Sequence, residues 1–157
     1  MKTEELIHNF YTAFAEGNAY GMTACYHDDI TFEDPAFGKL KGERAKAMWQ
    51  MLLSSKSSNV QVTHNNINAD NENGQAQWTA KYNYGPKKRK VINNVEAKFK
   101  FQDGKIIEHI DSFDLWAWSR QALGTPGTLL GWSTFMKNKI QKTTSAKLDK
   151  YMRTSIG

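Results

Sequence analysis

Cysteine is almost missing from this 157-residue chain: Cys25 stands alone, which excludes an internal disulfide and a cysteine-based metal cluster. Proline occurs three times, at positions 35, 86 and 126, each at a break in the apolar pattern. There is no run of about 18 apolar residues, so no membrane-spanning helix is expected. The N-terminal MKTEELIHNF carries acids where a secretory leader needs an apolar stretch, and the expected compartment is the cytoplasm. An acidic excess is also lacking, yet the net charge of +5 is local. From Thr134 onward six basic residues face one acid, Asp149, which leaves fifteen charges of each sign before it. A basic tail on a neutral body, without a basic stripe interleaved with aromatics, does not point to nucleic acid.

Large rings are plentiful. Five Trp, six Tyr and eight Phe in one domain-sized chain can fill a core or line a cavity. Cys25 sits in an apolar helical pattern and reads as a small buried residue rather than a nucleophile.

Thr3 to Gly17 has the spacing of a helix, with Thr3 at its start, Gly17 at its end and Leu6, Ile7, Phe10, Tyr11 and Phe14 on its buried stripe. A second short helix follows over Asn18 to Tyr26, and a third over Glu43 to Leu53 carries Ala45, Met48, Trp49 and Leu52 on one side. Ser54 to Asn59 is a polar loop. The period then changes to two: weakly over Asn59 to Ala69, clearly over Gln75 to Tyr84 and Val91 to Phe101, and again from Lys105 to about Trp116. Three helices followed by a meander of long strands is an α+β pattern.

Two strands bring charge onto an apolar parity. In HDDITFEDPAFG, Asp34 shares its parity with Ile30 and Phe32, and Pro35 ends the ladder one residue later. A carboxylate carried inward in this way acquires a raised pKa or a partner. In the last strand Ile107, His109, Asp111 and Phe113 share one face and Ile106, Glu108, Ile110 and Ser112 the other. Periodicity does not choose between the two faces; the first set would bring His109 and Asp111 toward Asp34. Tyr11, if buried, needs a partner for its hydroxyl, or else it is a core tyrosine whose tip reaches the surface.

The segments YTAFAEGNAYGMTACYHDDITFEDPAFGKLKG and DGKIIEHIDSFDLW resemble the NTF2-like superfamily, particularly its SnoaL-like and ketosteroid-isomerase-related branch, over about residues 3 to 118. The resemblance implies a cone: a strongly curved antiparallel sheet around N-terminal helices, with a ligand cavity at one end, commonly in a homodimer. Asp34 matches the general base of the ketosteroid isomerases and Tyr11 their oxyanion-hole tyrosine, while their second donor, a protonated aspartic acid, falls at Ala97. Asp111 matches the last-strand aspartate of epoxide-hydrolase-type and SnoaL-type sequences, whose Arg and Asp partners have no counterpart between Asn93 and Phe101. The implied activity is cofactor-independent acid–base chemistry on a small hydrophobic carbonyl, polyketide-like or epoxide substrate. Asp34 would be the base, Tyr11 the donor, His109 and Asp111 orienting or acid groups, and Trp49, Trp78, Tyr82 and Phe113 the apolar walls. No metal or other cofactor is expected. The alternative is a noncatalytic small-molecule-binding or protein-interaction module on the same fold.

Residues 119–157 form an extension beyond the domain of residues 1–118. Trp118 to Leu123 continues helically and breaks at Gly124-Thr125-Pro126-Gly127. Leu129, Trp132, Met136, Ile140, Leu148 and Met152 then make an apolar stripe on a basic helix. That stripe suits docking on the domain, on a dimer mate or on an anionic membrane surface, and its position after the last strand also suits a lid. The run Lys87 to Lys90 is expected at a solvated hairpin tip.

Overall fold

The computed structural model describes residues 2–54, 59–125, 127 and 133–156, with the side chains of 155 and 156 outside the description. Helix α1 (Lys2–Ala15) turns Ile7, Phe10, Tyr11 and Phe14 inward. Thr3 is not its cap: the helix begins one residue earlier, and the Thr3 hydroxyl donates to the Asp70 carbonyl at 2.9 Å. Gly17, at φ +73°, supplies the left-handed turn that ends the helix. The short α2 (Ala19–Thr23), capped by Asn18, leads into β1 (Tyr26–Asp34) and β2 (Gly38–Lys41). Helix α3 (Glu43–Ser54) buries Ala45, Ala47, Met48 and Trp49, while Leu52, expected on that side, is exposed.

The remaining strands are β3 (Gln61–Ala69), β4 (Asn73–Tyr84), β5 (Arg89–Gln102) and β6 (Lys105–Ser112). They form one curled, unclosed sheet in the order β2-β1-β6-β5-β4-β3. All neighbours are antiparallel except β1 and β6, which run parallel, so the sheet is mixed rather than purely antiparallel. This crossing places β1 and its Asp34 beside the last strand, with Phe32 opposite His109.

A bulge decides the facing of β6. Lys100 pairs with Glu108 and Phe101 with Ile106, so Ile107 is the extra residue and the parity changes across it. Ile106 is fully buried and Ile107 only half-buried, the reverse of a regular strand reading, while His109 and Asp111 face the interior.

Beyond the sheet, Asp114 caps α4 (Leu115–Leu123) by accepting from Ala117 N at 3.1 Å. The last strand therefore stops at Ser112, not near Trp116. Helix α5 (Thr134–Ile156) packs against α3 and buries Met136, Ile140 and Leu148. Leu129 and Trp132 of the expected stripe, Pro126 of the expected break and most of the Ser54 to Asn59 loop lie outside the described residues. Not all of the basic run at the β4–β5 turn is free in solvent: Arg89 Nε donates to the Gln121 carbonyl of α4 at 2.8 Å.

Candidate active site

The interior between α1, α3 and the sheet is built from rings, with a buried imidazole among them. His109 lies 4.5 Å from Phe99, 5.0 Å from Phe32 and 5.4 Å from Phe10, measured between ring centroids. Packed this way, both of its nitrogens need protein partners, because water cannot serve them. Nδ1 is 2.7 Å from the Tyr26 hydroxyl and Nε2 is 2.8 Å from Asp111 Oδ1. Trp49 Nε1 donates to the Tyr26 oxygen at 2.9 Å, and Trp78 Nε1 donates to Asp111 Oδ1 at 3.3 Å.

The chain Trp49–Tyr26–His109–Asp111–Trp78 has one self-consistent set of hydrogens around a neutral imidazole. An indole N–H can only donate, so Tyr26 receives from Trp49 and gives its own hydrogen to His109 Nδ1. Nε2 then keeps its hydrogen and donates it to the Asp111 carboxylate. Burial pushes the Tyr26 hydroxyl well above its ordinary pKa, against the opposing pull of the Trp49 bond, and holds it protonated as this arrangement requires.

Asp34 is on the same face but is not hydrogen-bonded into that chain. Its Oδ1 accepts from the backbone amides of Ala36 at 2.9 Å and Phe37 at 2.6 Å, the geometry of an Asx turn. The residue keeps some surface, yet protein crowds the carboxyl itself, and desolvation drives its pKa up to about 7. The Phe37 and Ala36 amides oppose that rise, and the charges of Asp111 and Glu33 add to it.

Tyr11 is fully buried, and its hydroxyl has no hydrogen-bond partner among the described residues. Its ring stacks on His64 at 5.3 Å and meets Phe99 edge-on at 6.3 Å. Burial, then the electrostatic influence of Asp111 and, less, of Tyr26, raises its pKa well above the ordinary phenol value. It is thus a protonated donor without an acceptor, in electrostatic reach of Asp111.

The four residues expected as apolar walls divide. Trp49 and Trp78 are buried but act through their N–H groups as the two ends of the hydrogen-bonded chain. Tyr82 is half-buried, accepts from Trp118 Nε1 at 2.6 Å and is pushed up to about 12, mainly by burial. Phe113 is half-buried and lines, with Trp78 and Asn94, a depression of about 580 Å³. Ala97, where the second oxyanion donor of the isomerases would fall, pairs directly with Asp111 across β5 and β6. The structure thus sets a carboxyl group one strand away from the expected place.

Tyr26 is the residue that sequence reasoning left out. It falls at the end of the expected second helix, Asn18 to Tyr26; its even spacing from Ile30, Phe32 and Asp34 is the signal that assigns it to the strand instead. Among the described residues, no three His, Cys, Asp or Glu side chains are grouped so as to hold a metal ion, and no helix is long and apolar enough to cross a membrane.

A curled six-stranded sheet wrapped on N-terminal helices is the NTF2-like architecture. Residues 7–109 match the sequence profile of the SnoaL-like domain, and the chain belongs to that family. No curated protein matches it. Among solved structures it is similar to an LEH-like epoxide hydrolase of M. tuberculosis, with 21% identity and a TM-score of 0.65 over 82% of this chain and 92% of that one. It is similar also to a proposed polyketide cyclase of Pseudomonas putida (20% identity, TM-score 0.65, 78% and 98% covered). TerC co-crystallized with polyporic acid is a third (15% identity, TM-score 0.65, 77% and 98% covered). At these identities the likeness is one of fold.

Proposed function

We propose that the protein is a cofactor-independent acid–base catalyst acting on a small hydrophobic molecule with an acidic C–H beside a carbonyl, and that Asp34 is its base. The observation that carries this reading is the state of Asp34: a crowded carboxyl at about 7, held by two backbone amides and, among the described residues, by no cationic side chain. A base serves best when its pKa is near the working pH, where it is partly ionised and still strong. Asp34 takes the proton, the C–H electrons move into the carbonyl, and the resulting enolate oxygen accepts a hydrogen bond from Tyr11, whose hydroxyl is otherwise unpartnered. Return of the proton at another carbon gives isomerisation, and attack of the enolate on a second carbonyl gives ring closure.

His109 orients rather than transfers in this scheme, because Tyr26 and Asp111 already occupy both of its nitrogens. Asp111, anchored by His109 and Trp78, supplies the negative charge that helps hold Asp34 near neutrality. The ligand would lie in an apolar cavity bounded by Tyr82, Phe113 and the two tryptophans, in a cytoplasmic homodimer. The same self-contained His109 chain favours a second reading, a binding module without turnover, since a histidine with both nitrogens engaged offers a substrate nothing.

The two readings separate on deuterium exchange in D2O at the carbon beside the carbonyl of simple cyclic ketones and enones, followed by NMR. The enzyme reading expects wild-type protein to accelerate exchange and Asp34→Asn to abolish the acceleration. Equal rates with the two proteins, in the presence of measurable ketone binding, leave the binding module.

A further inference from the structure

The amides that hold Asp34 are each one end of a planar peptide unit. The N–H of Ala36 shares its unit with the Pro35 carbonyl, and the N–H of Phe37 shares its unit with the Ala36 carbonyl. The far ends of both units are taken by α5: Gln141 Nε2 donates to Pro35 O at 3.0 Å, and Thr144 Oγ1 to Ala36 O at 2.8 Å. Three residues apart on one helix, the two donors share a face. The single hydroxyl hydrogen of Thr144 also has the Gln141 carbonyl within reach at 3.0 Å, and the contact to Ala36 is the shorter. Close approach is built in at Gly38, where a Cβ would stand 3.3 Å from Gln141 Oε1. The helix is anchored by buried Ile140 and Leu148 and by the ion pair of Asp149 with Arg44 of α3. It lies wholly outside residues 7–109, the span that matches the family.

We propose that Gln141 and Thr144 are positioning residues for Asp34: by gripping the oxygens of the two peptide units whose N–H groups hold its carboxylate, they make the C-terminal helix part of the site. A donor on an amide oxygen draws electron density across the unit, so the N–H at the other end becomes a stronger donor and is fixed in direction. Both effects favour the ionised carboxyl. Asp34 otherwise faces Asp111 on β6, Glu33 and Tyr26 on β1 and Tyr82 on β4, while α5 presents to the turn the neutral Gln141 and Thr144. The catalytic consequence rests on the reading of Asp34 as a base; the coupling between helix and carboxyl does not.

The test is a 13C NMR pH titration of the Asp34 carboxyl carbon in full-length protein, assigned by its loss in Asp34→Asn. Gln141→Leu with Thr144→Val keeps the helix apolar contacts and removes both donors. The expected result is a rise of the titration midpoint by about half a pH unit or more. Asp149→Asn, which weakens the anchoring of the same helix without touching the turn, leaves the midpoint in place. A midpoint that stays put in the double variant overturns the proposal. So does a fall toward the ordinary value, because that is the signature of a helix that merely shields the carboxyl from water. Should the double variant not fold, the near-isosteric Thr144→Val decides alone, with the same signs and a smaller rise. A raised midpoint in a protein that exchanges no ketone would keep the positioning role and dismiss the base.

Discussion

Tyr26 Oη stands 2.7 Å from His109 Nδ1, and the indoles at the two ends of the chain set the direction of that bond. Removing the hydroxyl would leave two buried groups without partners, the Trp49 N–H on one side and the imidazole nitrogen on the other. Each unsatisfied group costs about 1–3 kcal/mol, so Tyr26→Phe is expected to destabilise the fold by about 2–6 kcal/mol. Urea unfolding measures this directly. A loss below about 0.5 kcal/mol would mean that the chain is not the single network described.

Asp34 acts on stability with the opposite sign. A carboxyl raised from the ordinary 3.8 to about 7 favours the folded state only while it is protonated. Its contribution is complete below about pH 4 and is lost as the pH rises through about 7, because there the unfolded chain releases the proton more readily. The whole interval corresponds to at most about 4 kcal/mol. Asp34→Asn keeps an oxygen for the Ala36 and Phe37 amides and has nothing to ionise. The variant should therefore match wild type near pH 4 and become progressively more stable than it toward pH 8. Urea midpoints taken at several pH values between those limits check this, and a stability difference that does not grow with pH would refute the desolvated carboxyl.

The fold was legible because the sheet announces its period. In β4 and β5, Ala76, Trp78, Ala80, Val95, Ala97 and Phe99 alternate with polar residues and are buried as the alternation predicts. What was not legible came from places where the backbone departs from its period. The bulge at Ile107 shifts the parity of β6, and no rule of alternation marks where an extra residue will sit. Tyr26 belongs to a strand that starts irregularly, with Asp28 exposed on the parity that Tyr26 and Ile30 bury. The indoles of Trp49 and Trp78 looked like walls, since composition says that a ring will be buried and not whether its N–H will find a carboxylate or a phenol. The contacts of α5 with Pro35 and Ala36 link residues more than a hundred positions apart, and one sequence carries no signal for such a pairing.

Tyr11 gives the sharpest separation of structure from function. Its hydroxyl is buried without a partner among the described residues, an arrangement that weakens a protein unless something bound there accepts the hydrogen bond. Tyr11→Phe removes that liability and keeps the ring on His64 and Phe99. Stability should be unchanged or should rise by about 1 kcal/mol. Exchange of the ketone C–H should nevertheless slow by about a hundredfold, the usual consequence of taking one donor from a developing oxyanion. The two measurements belong together, thermal or urea unfolding beside the NMR exchange rate. A phenylalanine variant that loses stability in step with rate would make Tyr11 a core residue whose hydroxyl is structural. A variant that is as stable as wild type yet slow would make the Tyr11 hydroxyl a donor to the substrate.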